Sequence, residues 1–381
     1  MQPELVLIRQ DIHANPEVGM KEERTSALVA AKLKLWGITV TENVGVFGVV
    51  GTLKSNRPGT HSIALRADMD ALQLTESTKL SYASRTPGAM HACGHDGHTA
   101  MLLGAAKYLA ENRDTFYGTI YFIFQPAEES LSGAMAMIED QLFERFPFDA
   151  IYGLHNDPNM PFGEFATRSG PFLAAADKWI VTFRGTGGHG ALPHLATDIN
   201  IVQAEYILSL QTIISRNTAP IDSGIISVGA LESGSFTSIN ILPKEVRIGG
   251  ITRTFLKETR NMIERRIKEL AHGLAASFGC EAQVQYHRLV CALDNHAEQT
   301  VRAVKAAERV VGTTKVNPNM ARTTGSEDFS AFLERKPGAF MYIGNGTPTY
   351  QFYSPTYDFN DAIIPFGVAY WISLVQQELK E

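Results

Sequence analysis

A chain of 381 residues, 44% hydrophobic and 19% charged, is long enough for two domains, since single cores rarely exceed about 300 residues. No apolar run approaches the roughly 18 residues that cross a bilayer, and the first residues lack a secretory-signal pattern, so we expect a cytoplasmic protein. The net charge of −6, without a basic run, argues against nucleic acid and favours a small-molecule ligand. Three unevenly spaced cysteines indicate a reducing compartment rather than a disulfide framework.

The first part of the chain predicts alternating helices and strands. Residues 5–36 read as helix, interrupted near Asn15-Pro16. The segments that follow are strands 45–53 and 62–67, helix 99–112, strand 118–124, helix 133–142 and strand 150–154. Strands that alternate with helices indicate an α/β domain with a largely parallel sheet.

Residues 177–290 show a different order of elements. Strands at 178–184, 225–231, 244–252 and 281–288 and helices at 197–216 and 257–278 make the order β-α-β-β-α-β. This is a split βαβ arrangement that can fold alone, so we predict an inserted second domain. Helix 299–311, strand 339–343 and helix 365–379 return to the first pattern. The first domain would therefore comprise residues 1–176 and 291–381.

Residues 91–98 carry three imidazoles, a thiol and a carboxylate just ahead of a predicted helix. Imidazole nitrogens and thiolates are the donors that zinc-like ions prefer. Ligands of open α/β sheets bind beyond the carboxyl ends of strands, and acidic or imidazole side chains follow each predicted strand there. These strand-end residues are Asp68, Asp70, Glu128, Glu129 and His155.

Each of these signals has an ordinary alternative. An acidic residue after a strand is commonly a turn or a helix cap. Adjacent Glu128 and Glu129 cannot point the same way on an extended segment, which suits one metal ligand and one general base. Cys93 could instead be a nucleophile activated by His95, although the Cys-Gly-His spacing serves metal ligation at least as well.

Ordered motifs along essentially the whole chain resemble the bimetal M20 amidohydrolases, in particular hippurate hydrolases, N-acyl-amino-acid amidohydrolases and auxin-conjugate hydrolases. The motifs are Ile12-His13-x-x-Pro16-Glu17, Leu65-Arg66-Ala67-Asp68-Met69-Asp70-Ala71-Leu72, Met90-His91-Ala92-Cys93-Gly94-His95-Asp96-Gly97-His98, Gln125-Pro126-Ala127-Glu128-Glu129, Gly187-Gly188-His189-Gly190-Ala191-x-Pro193-His194 and Gly325-Ser326-Glu327-Asp328-Phe329. The resemblance implies a mixed-sheet di-metal catalytic domain with an inserted ferredoxin-like satellite domain. That satellite would act as a lid or dimer contact in a homodimer or a dimer of dimers.

The resemblance also implies a metal centre with one or two divalent ions, either Zn, Mn, Co or Ni. Cys93 would bridge the two ions, His95 and His155 would complete the first site, and Glu129 would bind the second. Glu128 would be the general base, which takes a proton from the attacking water and hands it to the leaving amine. Asp70 would hold the orientation of one ligand.

Other matching positions imply contacts with the substrate. His189 would reach the active site of the partner subunit and stabilise the developing oxyanion. Asn240, Arg253 and Gly325 would contact substrate, with the arginine suited to a free carboxylate. The remaining motif residues, which we interpret as structural or as supports of the ligands, are His13, His91, His98, His194 and Glu327.

Tyr353 departs from the family pattern. The second metal normally takes its last ligand from a histidine in a His-x-Pro segment, and here the segment reads Tyr353-Ser354-Pro355, with no histidine after His296. A phenol with a pKa near 10 is a poor ligand unless a metal deprotonates it. Three interpretations stay open: a phenolate ligand, a one-metal enzyme, or a chain of reduced hydrolytic activity.

The expected function is metal-dependent hydrolysis of the amide bond of N-acyl amino acids, of the hippurate, N-acetyl or another acyl type. The alternative is a family member of reduced activity that binds a small molecule, because Tyr353 replaces a ligand.

Overall fold

The computed structural model describes residues 1–346 and 351–381. Its contacts divide the chain into two compact units. Unit 1 comprises Met1–Phe172, Asp294–Ala321 and Glu327–Glu381, and unit 2 comprises Leu173–Leu293 and Arg322–Ser326. The domain boundaries predicted at 177 and 290 stay a prediction. No helix within the described ranges has both the length and the apolar character of a membrane span.

The helices are α1 Gln2–Ala14, α2 Glu23–Leu35, α3 His95–Glu111, α4 Gly133–Glu139, α5 Leu142–Arg145, α6 Ile199–Thr212, α7 Lys257–Phe278, α8 Ala297–Val311, α9 Ser330–Leu333 and α10 Ile364–Glu378. The strands are β1 Thr39–Val44, β2 Gly48–Lys54, β3 Arg57–Asp68, β4 Tyr117–Gln125, β5 Ala150–Asp157, β6 Phe165–Ala166, β7 Gly170–Leu173, β8 Ala175–Arg184, β9 Gly188–His189, β10 Gly224–Ser233, β11 Ile241–Leu242, β12 Glu245–Thr254, β13 Glu281–Val290, β14 Leu293–Asn295, β15 Val316–Asn317 and β16 Gly338–Gly344.

Unit 1 is built on a mixed sheet with the strand order β1-β2-β4-β3-β5-β16-β6-β15. The central strands β4, β3, β5 and β16 are parallel, whereas β1 and β2 add an antiparallel edge. Strands β5 and β16 are buried along their whole length, as expected of parallel strands that are covered on both faces. The α/β class and the mixed sheet are confirmed. The early expectation of a largely parallel sheet holds only for the centre.

The core of unit 1 forms where α1, α3, α8 and α10 pack on the sheet and on one another. Helix α3 buries almost every residue of its first three turns, including its polar ones, so it is an interior helix. Its beginning is therefore held close to the carboxyl ends of β3 and β5, where ligands of open α/β sheets bind.

Unit 2 contains a four-stranded antiparallel sheet in the order β10-β12-β8-β13, with α6 and α7 packed on it. Its element order is the β-α-β-β-α-β expected from the sequence. The core is aromatic and aliphatic, with Trp179, Tyr206 and Ile263 fully buried. Its predicted role as lid or dimer contact stays a prediction.

Several predicted boundaries were wrong. Strand β1 was missed, because its alternating polar residues Thr39, Thr41 and Glu42 hide the extended pattern. Helix α3 begins at His95 rather than at 99, and the helix predicted at 133–142 ends at Glu139, with a separate short helix at Leu142–Arg145. Strand β5 continues through Asp157 because it pairs with β16 up to Gly344. His155 thus lies within the strand and not after it.

Candidate metal centre

The site lies at the carboxyl ends of the parallel strands of unit 1. Asp68 ends β3, His155 lies near the end of β5, and the loop after β4 carries Glu128 and Glu129. His95 is the first residue of α3. The structure therefore brings the strand-end residues together with the 91–98 segment, as their topological positions suggested.

Gly94 allows the turn that leads from Cys93 into α3. Its φ of +96° is in the left-handed region, which side chains other than glycine rarely adopt. A Cβ atom there would lie 2.3 Å from Asn156 Oδ1 and 2.7 Å from the Tyr357 hydroxyl. Only glycine fits at this point, so the turn that sets Cys93 and His95 side by side depends on it.

Within residues 1–346 and 351–381, three groups of side chains bring donor atoms within 4.8 Å of one another. The groups are Cys93, His95 and Glu129; Asp68, His95, His98 and His155; and Glu128, Glu327 and Asp328. All members are buried except Glu129, which is half-buried. His95 belongs to the first two groups, so it is the point at which they meet.

Two donor atoms of the first group have no hydrogen-bond partner. His95 Nε2 and Glu129 Oε1 are buried without a hydrogen-bond partner, and they lie 3.9 Å apart. Buried polar atoms without partners are costly, and a cation between these two would satisfy both. A thiolate, an imidazole and a carboxylate form a donor set suited to zinc and related ions. The residues present therefore fit a divalent metal.

Asp70 orients both of these donors. Its Oδ1 lies 3.2 Å from His95 Nδ1, and its Oδ2 accepts a hydrogen bond of 3.0 Å from the Glu129 backbone N–H. A carboxylate on Nδ1 leaves Nε2 as the nitrogen that is free to bind an ion. The supporting role expected for Asp70 stays a prediction.

Acidic groups outnumber the cations around the site. Burial and neighbouring acids raise the pKa of Glu128 and of the Cys93 thiol well above their usual ranges. Burial also raises the pKa of Glu129 to about 7, although His95 opposes it. Burial by itself would lower the pKa of His95, but neighbouring carboxylates, first that of Asp68, raise it to about 10. A bound cation would relieve this excess of negative charge.

The second group is largely satisfied by its own hydrogen bonds. His98 Nδ1 lies 2.6 Å from Asp68 Oδ1, and His98 Nε2 lies 2.8 Å from Asn156 Oδ1. His155 Nδ1 lies 2.7 Å from the Asn156 carbonyl oxygen, which leaves its Nε2 facing Cys93 Sγ at 3.4 Å. His98 therefore has no nitrogen left for a metal, whereas His155 has one.

The third group surrounds a buried guanidinium. Arg66 Nη1 lies 2.6 Å from Asp68 Oδ2, and Nη2 lies 2.9 Å from Glu327 Oε1 and 3.2 Å from Asp328 Oδ1. These pairs supply positive charge to two of the three acids in the group. The remaining acid, Glu128, has an oxygen within 4.8 Å of both of them.

The loop after β4 separates the two adjacent glutamates. Ala127 has a φ of +52°, which is rare for a residue with a side chain. Its N–H donates to Glu22 Oε1 at 2.8 Å, and Glu22 is fully buried. This anchored turn directs Glu128 to the third group and Glu129 to the first.

Comparison with known proteins identifies the family. The profile of Peptidase family M20/M25/M40 matches residues 64–377. The chain belongs to this M20 family. It is 39% identical over 383 residues to the hippurate hydrolase of Campylobacter jejuni, covering 100% of this chain and 98% of that one. It is 40% identical over 344 residues to the N-acetyl-L-cysteine deacetylase of Bacillus subtilis, covering 90% of this chain and 81% of that one.

The fold of this M20 chain also matches solved structures. The Bacillus subtilis YXEP protein, described as a dinuclear metal binding peptidase from the M20 family, aligns with a TM-score of 0.87 at 29% identity. The alignment covers 99% of this chain and 98% of that one.

Tyr353 of this M20 chain lies beside the first donor group. Its hydroxyl donates a hydrogen bond of 2.9 Å to Glu129 Oε2. The position that departs from the family pattern is thus in contact with one of the expected ligands.

The other expected substrate residues belong to unit 2. His189 on β9 pairs with Ile241 on β11, and the carbonyl oxygen of Asn240 accepts from the Gly190 N–H at 2.8 Å, so His189 and Asn240 are neighbours. Both are exposed. Arg253 on β12 is half-buried and donates to the Thr252 carbonyl oxygen at 3.0 Å.

Gly325 also belongs to unit 2, where its carbonyl oxygen accepts from the Ala174 N–H at 2.9 Å. The substrate-binding roles of His189, Asn240, Arg253 and Gly325 stay predictions.

His13 and His91, two other histidines of the motifs, are both buried. His13 Nδ1 lies 2.8 Å from Asp96 Oδ2, and its Nε2 lies 3.4 Å from Glu76 Oε2. His91 is buried, and burial lowers its pKa to about 4. The supporting role inferred from the sequence stays a prediction. Helix α3 begins at His95, and His98 lies in its first turn.

Sequence reasoning gave no site role to three residues that the structure places around the centre. They are Glu22, Arg66 and Asn156. A usable signal existed only for Arg66, which is a charged residue inside the apolar run of β3. A charge in a buried strand requires paired acids nearby.

Proposed function

We propose that this chain hydrolyses the amide bond of N-acyl amino acids with a divalent metal, and that Glu128 is its general base. The observation that carries the proposal is the pair of unpartnered donor atoms, His95 Nε2 and Glu129 Oε1, which lie 3.9 Å apart in one group with Cys93. His95 Nε2 lies 4.0 Å from Glu128 Oε2. Family membership supports the reaction class, because relatives of the chain carry the names hippurate hydrolase and N-acetyl-L-cysteine deacetylase.

Each residue of the centre has a distinct part in this proposal. Cys93, His95, Glu129 and His155 would hold one or two divalent ions, and Asp70 would orient His95 and Glu129. When bound, a divalent ion supplies Lewis acidity, which acidifies water and polarises a carbonyl oxygen. Zinc, manganese, cobalt and nickel all suit these donors.

Glu128 is suited to moving the proton. Its carboxylate lies in a buried environment, where burial and neighbouring acids raise its pKa, so it binds a proton readily. It would accept a proton from the attacking water and deliver it to the nitrogen of the leaving amino acid. Glu327 and Asp328, held by Arg66, pack against it and exclude bulk water.

Unit 2 would supply substrate contacts. Arg253 would bind the free carboxylate of the amino acid, and Asn240 and Gly325 would contact the substrate beside it. In a homodimer, His189 of the partner subunit would stabilise the negative charge that develops on the carbonyl oxygen.

The test is turnover of a panel of hippurate-like and N-acetyl amino acids by the full-length protein. We expect release of free amino acid that stops on chelation and returns when Zn²⁺, Mn²⁺, Co²⁺ or Ni²⁺ is added. Saturable binding of panel members by metal-loaded protein without any turnover would overturn the proposal. That outcome would instead support the alternative, a family member of reduced activity that binds a small molecule because Tyr353 replaces a ligand.

A further inference from the structure

Tyr353 is held against the segment that carries the cysteine ligand. Its backbone N–H donates to the Ala92 carbonyl oxygen at 3.0 Å, one residue before Cys93. Its φ of +61° lies in the left-handed region, a conformation that costs a residue with a side chain about 1 kcal/mol or more. The residue is 57% exposed, yet its hydroxyl reaches inward to Glu129.

The Tyr353 hydroxyl divides the two oxygens of Glu129 between different partners. Oε2 accepts the phenol hydrogen bond at 2.9 Å. Oε1 has no hydrogen-bond partner and lies 3.9 Å from the equally unpartnered His95 Nε2. Glu129 Oε1, in the group with Cys93 and His95, is therefore available to a cation, whereas Oε2 is already bonded to the Tyr353 hydroxyl.

We propose that Tyr353 is a positioning residue that makes this centre a one-ion site. The single divalent ion binds Cys93, His95 and Glu129 Oε1, while the Tyr353 hydroxyl occupies Glu129 Oε2, where a second ion would otherwise bind. The inference rests on the proposed metal dependence and deepens it. It selects one of the three interpretations that the sequence left open.

The donor count agrees with a single ion. Catalytic zinc sites keep three protein ligands and one open position, which is what Cys93, His95 and Glu129 provide. His155, whose Nε2 lies 3.4 Å from Cys93 Sγ, is outside this group and is not a ligand of the single ion. The charge of one divalent ion balances one thiolate and one carboxylate. A second ion would meet a neutral phenol hydroxyl in place of an imidazole nitrogen. That hydroxyl already donates a hydrogen bond to Glu129.

The hydrogen bond also gives Tyr353 a positive role. A donor on the outer oxygen of a ligating carboxylate fixes its rotamer and directs the other oxygen to the ion. Loss of such a partner typically weakens metal binding about 10–100-fold. Tyr353→Phe removes the donor and keeps the ring, whereas Tyr353→His restores a nitrogen ligand.

The experiment measures ions per chain and metal affinity for the full-length protein equilibrated with Zn²⁺ or Mn²⁺ and titrated with a competing chelator. The matched control is Tyr117→Phe, because the Tyr117 hydroxyl, which accepts from Arg57, lies on β4 at the opposite end of the strand from the site. We expect one ion per chain for wild type and for Y117F. We expect one ion bound about 10–100-fold more weakly by Y353F, and two ions for Y353H.

A spectroscopic measurement separates the phenol from a phenolate ligand. Metal titration of wild type should show no tyrosinate difference absorbance in the near ultraviolet. Two ions per wild-type chain with a tyrosinate signal that Y353F abolishes would overturn the inference, and so would a Y353H variant that still binds one ion.

Failure of this inference is distinguishable from failure of the proposed function. One ion per chain without turnover of any N-acyl amino acid would reject the function and leave the one-ion site standing. Metal-dependent turnover with two ions per chain would reject the one-ion site and leave the proposed function standing. A chain that binds no ion would reject both.

Discussion

Arg66 Nη2 lies 2.9 Å from Glu327 Oε1, and neither side chain is more than 3% exposed. The two residues are 261 positions apart in the sequence. The same guanidinium also contacts Asp68 and Asp328, so one buried cation holds three carboxylates that come from β3 and from the segment before α9.

Replacing Arg66 with methionine should destabilise the protein strongly. The change keeps the volume but leaves the acids around it buried without a cation, and breaking a buried ion pair from one side costs about 3–5 kcal/mol. We expect a loss of that size in the apparent free energy of unfolding measured by urea denaturation. The control is Arg184→Met, which removes an exposed pair with Glu245 and should cost less than about 1 kcal/mol. Equal losses for both variants would contradict the assignment.

Replacing Glu128 with glutamine should abolish turnover and leave the metal in place. The amide cannot accept a proton, and loss of a general base typically lowers kcat about 10²–10⁴-fold. Glu128 is not a member of the Cys93, His95 and Glu129 group, so elemental analysis should give the wild-type metal content. Glu129→Gln is the contrasting variant and should lose metal and activity together. An E128Q enzyme within tenfold of the wild-type kcat would rule out the role.

Replacing Gly94 with alanine should disrupt the metal centre as well as the fold. The new Cβ would lie 2.3 Å from Asn156 Oδ1, in addition to the strain of a φ of +96°. Gly88→Ala is a suitable control, because Gly88 has a φ of +79° but no atom within 4 Å of the added Cβ. We expect G88A to cost about 1–2 kcal/mol from backbone strain alone. G94A should cost clearly more by thermal unfolding, and it should weaken metal binding.

If G94A and G88A lowered the unfolding temperature equally and bound metal alike, the close packing against Asn156 would have no energetic consequence. That result would contradict the steric account of the turn.

Glu22 should make the stability of the metal-free protein depend on pH near neutrality. Burial and the nearby charge of Asp70 raise its pKa from 4.5 to about 7. A carboxyl group whose pKa is higher in the folded state stabilises the fold fully below the unfolded value, and this stability is lost as the pH rises through about 7. Over that range the loss would reach about 3 kcal/mol for a shift of this size.

The measurement is urea denaturation at several pH values between about 4 and 8, a range that brackets the unfolded pKa of 4.5 and the folded pKa of about 7, with chelator present so that metal binding does not contribute. Glu22→Gln does not titrate, so its stability should change less with pH than that of wild type. Glu245→Gln, which removes an exposed carboxylate, should keep the wild-type profile. An E22Q profile parallel to that of wild type would show that Glu22 does not titrate in this range.

Local patterns in the sequence were sufficient for the class of fold, and they indicated where candidate donor residues lie. The apolar runs of β4 and β16 and the helical period of α7 depend on neighbouring residues, so they can be read from the chain. The density of donors at 91–98 and the acids after the strands have the same local character. The ends of the helices and strands could not be read in the same way. Pairing with β16 extends β5, for example, and no local sequence pattern records that pairing.

Only the tertiary structure decides which donor atoms have hydrogen-bond partners and which are left to bind a metal. Sequence spacing could not show that both ring nitrogens of His98 are taken, by Asp68 and Asn156, or that His95 Nε2 and Glu129 Oε1 are left without partners. Nor could it show that the Tyr353 hydroxyl donates a hydrogen bond to Glu129, a residue 224 positions away in the sequence. The physical reason is that a side chain's chemistry depends on the atoms that face it, and in this centre those atoms come from distant segments joined by the packing of the sheet.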